Sequence, residues 1–348
     1  MTTDLRVREI GEFVLIERLR AVVEPHHRAQ TGLVIGIGDD AALWRPAPGH
    51  ELVVTTDALV DTVHFRLEWT DWGSLGHKML AVNISDIAAM GAQPKVATIT
   101  LGLTGEERVD DIEALYVGAT SLASAYGVAL AGGDVVKSPG GLFLSVTVIG
   151  EAPEGKALRR SAAQPGDLIV VSGTLGASAA GLALLAEEID PKTTGDLLIA
   201  AHLRPTPRVA LGGMLFDAGT RCAMDLSDGL TSDLPKILAA SGVSGVVDVD
   251  RVPVLPAVRA LFPDRWRELA LYGGEDYEIL LTVPPARYRA LHRKAEDVAA
   301  TLTVIGHITE TADVVGLELR DEGAPFQIDS EAFRRSGRVN VEDNLLGQ

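Results

Sequence analysis

Seven aspartates stand out in this chain less by their number than by where they fall. Asp39 and Asp40 sit in GIGDDAA, Asp57 ends LVVTTD, Asp86 lies in AVNISDIAAMGA, Asp134 closes ALAGGD, and Asp225 and Asp228 lie in AMDLSDG. Apolar or small residues surround each one. A carboxylate in such a setting must be paired or bind a cation, because burying it alone costs several kcal/mol. Asp57 and Asp134 both follow β-rich runs, the place where open α/β sheets put ligands. Few lysines or arginines flank these acids in sequence, so the missing positive charge points to a bound ion. Carboxylate and hydroxyl oxygens, without cysteine and with few nearby histidines, suit Mg²⁺ or Mn²⁺ better than zinc or copper. Thr55, Thr56 and Ser227 stand beside the acids and could add neutral oxygens. Taken one at a time, each Asp also reads as a helix N-cap or turn residue, as Asp228 does before Gly229.

Glycines accompany the acids. Gly36, Gly38 and Ala41 formally satisfy G-x-G-x-x-G/A, but two aspartates in that turn would face a pyrophosphate. Trp44, Pro46 and Pro48 also leave no clear helix behind it. No G-x-x-x-x-G-K-[ST] phosphate loop occurs. What recurs is glycine before an acid, in Gly132-Gly133-Asp134 and Gly273-Gly274-Glu275-Asp276. Such pairs let backbone approach a ligand while the acid holds a metal or cationic group, or they form a tight turn with a solvated acid.

Phosphoryl transfer is the chemistry this array suits. A nucleoside triphosphate beside a phosphate monoester crowds about six negative charges together, each close pair costing about 1 kcal/mol in water and about 4 at an effective dielectric of 20. Several divalent cations held by aspartates relieve that repulsion, and the transfer itself then needs positioning and neutralisation more than covalent chemistry. A phosphate acceptor is already anionic and needs no general base. That agrees with a chain whose histidines are scattered and whose single cysteine, Cys222, reads as a small buried residue.

The elements that must carry these residues alternate short β-branched runs with Ala/Leu-rich stretches, the pattern of an α/β or α+β protein. Strands are expected at 52–56, 96–101, 128–131 and 142–149, with helices near 74–90 and 110–126. Beyond Gly150–Gly166 come strands at 168–172, ending near 225, at 246–249, 277–283 and 304–308. Helices are expected there at 177–188, 209–218, 233–241 and 286–298. With 348 residues the chain is long enough for two cores, and the Gly/Pro-bearing segment divides it into domains at 1–150 and 151–348. A formal charge of −17 argues against nucleic acid or anionic membrane as partner. The charged opening MTTDLRVREIGEFVLIERL, one cysteine and no long apolar run lead us to expect a cytoplasmic protein.

The motifs, taken in order, resemble those of the thiamine-monophosphate kinase family, within the superfamily that includes aminoimidazole ribonucleotide synthetase. The resemblance runs from GEFVLIERL through GIGDDAA, TTDALVDTVHF, KMLAVNISDIAAMGAQP, AGGD, ALRRSAAQPGD, HLRPTPR and AMDLSDGLTSDL to YGGEDYEILLTV. It implies ATP-dependent conversion of thiamine monophosphate to the diphosphate. It also implies an N-terminal ATP- and Mg-binding domain whose strands pair with a second copy as a dimeric β-barrel, and an α/β C-terminal domain that completes the site. Asp40, Thr55, Thr56, Asp57, Asp86, Asp134, Asp225 and Asp228 would bind several Mg²⁺ ions. ATP would meet Tyr116, Gly133, Asp134, Arg160 and Ser227, and the thiamine phosphate would meet His64 and Glu275. Phe333 is the nearest candidate for the aromatic that closes on substrate in such kinases. Read from the residues alone, Arg160 also fits a surface linker, His64 a packed strand-edge histidine, and Tyr116 a core position. Two other readings stay open: a synthetase-like enzyme of the same superfamily, and a nucleotide-sensing protein without turnover.

Overall fold

The computed structural model describes residues 5–27, 32–191, 194–311 and 315–326. It divides into two compact units, one formed by Met1–Ile87 with Ala92–Gly155, the other by Ala88–Gly91 with Lys156–Gln348.

The first unit runs α1 (Val7–His27), β1 (Leu33–Ile35), β2 (Leu43–Trp44), β3 (His50–Val60), α2 (Trp72–Ala89), β4 (Gln93–Leu103), α3 (Val109–Tyr126), β5 (Ala129–Lys137) and β6 (Phe143–Pro153). Four strands form an open sheet in the order β3-β6-β4-β5, with β4 and β5 parallel and the other pairs antiparallel. The parallel pair needs a crossover, and α3 supplies it. Alternation along β6 buries Leu144, Val146 and Val148, as period-2 side chains require when one face is covered. Leu75, Met79, Leu80, Ile84 and Ile87 of α2 and Ile112 and Leu115 of α3 are also fully buried. Asp71 starts α2 by accepting from Ser74 N (2.9 Å) and Ser74 Oγ (2.6 Å), the side-chain cap that satisfies an orphan N–H. Those bonds hold the Asp71 carboxyl below its ordinary value. In α1, Leu15, Leu19 and Val23 are buried at helical spacing after a break at Gly11, and α1 packs on α3.

The second unit runs β7 (Leu168–Ser172), α4 (Ala177–Ala186), α5 (Gly195–Leu203), α6 (Val209–Leu215), β8 (Cys222–Asp225), α7 (Leu230–Ser241) and β9 (Ser244–Asp248). It continues with α8 (Pro256–Leu261), α9 (Trp266–Tyr272), β10 (Ile279–Val283), α10 (Pro285–Asp297), β11 (Leu302–Thr309), β12 (Leu317–Asp321) and β13 (Ala324–Pro325). Its seven strands lie in the order β13-β12-β9-β11-β7-β10-β8, and only β12 and β9 run parallel. Both faces of this sheet are covered. Ile169, Val171 and Leu280 join Leu230, Leu234 and Ile237 in one core, while Val170, Ile279, Leu281 and Val283 join Leu211, Leu215 and Leu291 in another. That is why all five residues of β10, ILLTV, are buried instead of alternating with exposed ones, and the one polar side chain among them, Thr282, donates to Asp167 Oδ2 at 3.1 Å.

Candidate functional site

In the first unit the site residues hang from β3, β5 and α2. Successive side chains on a strand point to opposite faces, so Thr55 and Asp57 share one face of β3 and Thr56 takes the other. Thr55 Oγ1 donates to Asp86 Oδ2 of α2 at 2.5 Å, which joins a strand hydroxyl to the acid of an otherwise apolar helix. Thr56 Oγ1 donates to Val146 O (3.1 Å) and accepts from Thr147 Oγ1 (3.1 Å) on the neighbouring strand. Register places Asp57 in the row of Val146, Ile99 and Gly133, and places Asp134 one row further along, with Ala58, Ser145 and Thr100. Gly133 has no room for a side chain, because a Cβ there would overlap the carbonyl of Ile99. Asp134, the next residue, is exposed, with Oδ1 accepting from Val135 N at 2.9 Å. Asp40 is also exposed, and its N–H donates to Asp39 Oδ1.

His64 sits in the turn that follows β3. Its Nδ1 accepts from Val60 N at 3.1 Å, and its own N–H returns to Val60 O at 2.9 Å. Tyr116 lies on α3 with 6 % of its surface exposed, and burial pushes its phenol up. Phe333 lies outside the described residues.

In the second unit, β8 ends at Asp225, which is 3 % exposed, and the chain turns through Ser227 and Asp228 into α7. Asp228 N donates to Asp233 Oδ2 at 3.0 Å. Lys236 Nζ bridges Asp228 Oδ2 (2.5 Å) and Asp233 Oδ1 (2.8 Å). Burial pushes the Asp233 carboxyl up against the pull of that lysine. Arg160 opens a short helical turn with its side chain exposed, and its carbonyl accepts from Ser241 Oγ at 2.8 Å.

The GGEDYE segment folds against this turn. Glu275 N donates to Ser227 O (2.8 Å) and Tyr277 N to Leu226 O (2.9 Å). Glu275 (φ 66°) and Tyr277 (φ 51°) are both left-handed, a conformation that costs a non-glycine residue about 1 kcal/mol or more and persists only where surroundings over-determine it. Three acids supply that determination. Glu275 Oε2 lies 3.2 Å from His202 Nδ1. Asp276 accepts from Gly176 N (2.7 Å) and Ser178 N (3.2 Å), and removal from water pushes its carboxyl up to about 7. Glu278, buried, accepts from Arg208 Nη2 (2.5 Å), Arg208 Nε (2.8 Å) and Ser172 Oγ (2.5 Å). Cys222 is buried, its thiol pushed up to about 11.

The donors present are hard oxygens, but among the described residues no three or more His, Cys, Asp or Glu side chains group into a metal site. Carboxylate and hydroxyl oxygens of this kind can supply part of the shell of a hard divalent cation, the rest coming from substrate phosphates and water. Sequence reasoning did not find His202, Arg208 or Glu278, and it named Asp276 only as an acid beside glycines, not as the acceptor of the Gly176 and Ser178 N–H groups. HLRPTPR and GGEDYE both contain the signal, a histidine and arginine set among prolines and three acids in four residues, but their pairing is tertiary.

Residues 38–152 match the family model for AIR synthase related protein, N-terminal domain, and residues 164–317 match that for AIR synthase related protein, C-terminal domain. Thiamine-monophosphate kinase of Salmonella typhimurium is 41% identical over 331 residues, covering 93% of this chain and 97% of that one. Thiamine-monophosphate kinase of Bacillus subtilis is 40% identical over 304 residues, covering 86% and 92%. Among solved structures, thiamine-monophosphate kinase from Stenotrophomonas maltophilia superimposes with a TM-score of 0.79 at 42% identity, covering 91% of this chain and 98% of that one. A structure described as AaThiL complexed with AMPPCP and TMP superimposes at 0.72 with 31% identity, covering 93% and 97%. Two matched domains in order and this identity along nearly the whole length place the chain in the thiamine-monophosphate kinase family.

Proposed function

We propose that this chain transfers the γ-phosphoryl group of ATP to the phosphate of thiamine monophosphate, giving thiamine diphosphate and ADP. The observation that carries the reading is the 31% identity, over 93% of the chain, with a structure described as complexed with AMPPCP and TMP. The ordered motifs and the relatives' shared name support it.

Asp40, Thr55, Asp57, Asp86, Asp134, Asp225 and Asp228 would hold Mg²⁺, with Thr56 proposed beside them although its hydroxyl takes the other face of β3 and donates to Val146 O. When bound, the ions would neutralise the phosphates that otherwise repel one another. The Thr55 bond orients Asp86, and within β5 Asp134 follows directly on Gly133, whose backbone lies against the Ile99 carbonyl. Gly133, Asp134, Tyr116, Arg160 and Ser227 would contact the nucleotide, and His64 and Glu275 the thiamine phosphate. An acceptor phosphate oxygen is already an anion, so no residue is needed to take a proton from it. Residues 1–150 would then form the ATP- and metal-binding part and 151–348 the part that completes the nucleotide and substrate contacts. The enzyme would act as a cytoplasmic homodimer, with the open four-stranded sheet closing into a barrel with a second copy. Leu52 (52% exposed) and Val54 (62% exposed) on β3, at the edge of that sheet, support this.

A coupled ATP-consumption assay tests the function. ADP should form with thiamine monophosphate and not with thiamine or aminoimidazole precursors. Turnover on thiamine alone would contradict the reading, because that hydroxyl needs a base.

A further inference from the structure

We propose that His202 is a positioning residue for Glu275, and that the α4–α5 pair exists at this point of the fold to bring it there. His202 lies in the last turn of α5, 4 % exposed, in a stretch where nothing in the phosphoryl-transfer scheme requires a histidine. Its Nδ1 is 3.2 Å from Glu275 Oε2 and 3.1 Å from Ser178 Oγ. An ionised carboxylate can only accept, so Nδ1 carries the hydrogen in this pair and Ser178 Oγ shares it as a second acceptor.

Ser178 is fixed in turn. It sits in the first turn of α4, and its N–H donates to Asp276, the residue that follows Glu275. The α4–α5 pair therefore grips the segment twice, through the Ser178 N–H of α4 at Asp276 and through His202 of α5 at Glu275. The grip depends on helix spacing. A Cβ on Gly181 of α4 would overlap the carbonyl of Leu198 in α5, so glycine there permits the approach that puts Ser178 beside His202. What the grip holds is a left-handed Glu275 (φ 66°), a conformation that would relax if the side chain were released.

The proposal rests on Glu275 meeting the thiamine phosphate. A group acting through Glu275 should affect that substrate and not the nucleotide. Steady-state kinetics of the full chain with Mg-ATP and thiamine monophosphate test it, using His202→Ala, His202→Gln, Ser178→Ala, Glu275→Ala and the His202→Ala/Glu275→Ala double variant.

Loss of one charge-assisted hydrogen bond should raise KM for thiamine monophosphate about tenfold in His202→Ala, with KM for ATP changed less than about twofold. His202→Gln, which keeps a donor, should recover part of the loss. In the double variant, removing His202 should add nothing to Glu275→Ala. Equal KM changes for both substrates, or additive effects in the double variant, would overturn the proposal and mark His202 as packing only. If Glu275→Ala raises KM for thiamine monophosphate while both His202 variants are silent, positioning fails and the substrate role of Glu275 stands. If Glu275→Ala is itself silent, that role fails and the proposal with it. Should His202→Ala not fold, His202→Gln and Ser178→Ala carry the same comparison.

Discussion

Thr55 Oγ1 and Asp86 Oδ2 lie 2.5 Å apart, a hydrogen bond that ties the middle of β3 to α2. A hydroxyl donated to a carboxylate fixes which oxygen lone pairs remain for a cation. Asp57 and Thr55 share a face of the same strand, two residues apart, so both present oxygens on one side of β3.

Replacing Asp57 or Asp86 with Asn removes a negative charge with little change of shape. Each should lower kcat on the order of a hundredfold while circular dichroism and melting temperature stay near those of the parent. Thr55→Val should be milder, raising the magnesium concentration for half-maximal rate about tenfold as Asp86 loses its donor. Full activity in Asp57→Asn would remove this strand from the site.

Gly133→Ala should fail for a different reason. The added Cβ meets the Ile99 carbonyl on β4, and backbone on that neighbouring strand cannot yield as a flexible side chain would. A loss of about 1–3 kcal/mol is expected from overpacking, measurable as a lower urea midpoint at unchanged slope, together with loss of nucleotide binding as Asp134 is displaced. An unchanged midpoint would show that β5 can shift freely.

Asp276 supplies a pH dependence with a definite sign. Its ordinary value is 3.8 and its folded value about 7, so the folded protein holds the proton longer than the unfolded chain. This contribution favours folding below pH 4 and is lost as pH rises toward 7, above which it is constant. Unfolding free energies of the parent should therefore fall across pH 4 to 7 relative to Asp276→Asn, which cannot titrate. Parallel curves for the two would contradict the assignment.

Cys222 is buried and its thiol is pushed up to about 11. The thiolate is the reactive form, so iodoacetamide at pH 8 should leave the native protein unmodified and label one site after denaturation. Rapid labelling of the native state would show that β8 opens readily.

Much of the scaffold was legible because periodicity and burial agree. The strand expected at 168–172 is β7, the helix expected at 209–218 begins where α6 does, and the strand expected to end near 225 is β8. Strands of the first unit run longer than the sequence suggests, β3 reaching Val60 and β5 reaching Lys137, because ladder pairing carries them through Thr, Asp and Gly residues that are poor strand formers alone. α1, α5, α8 and α9 were not expected. Gly11 and Pro25 interrupt the first, and the other three are nine residues or fewer, too short to show a period.

At the site, residue types were legible and partners were not. TTD reads as three adjacent oxygens, yet strand alternation sends Thr56 to the face away from Thr55 and Asp57. Lys236 between Asp228 and Asp233 shows the converse. A cation eight residues from an acid looks distant until a turn and two turns of α7 bring them together.

The central claim is direct transfer of phosphate onto phosphate, and following the label tests it most directly. With γ-labelled ATP, magnesium and thiamine monophosphate, the account predicts label in the terminal phosphate of thiamine diphosphate, in step with ADP. Label appearing as inorganic phosphate, with thiamine monophosphate unconsumed, would contradict it.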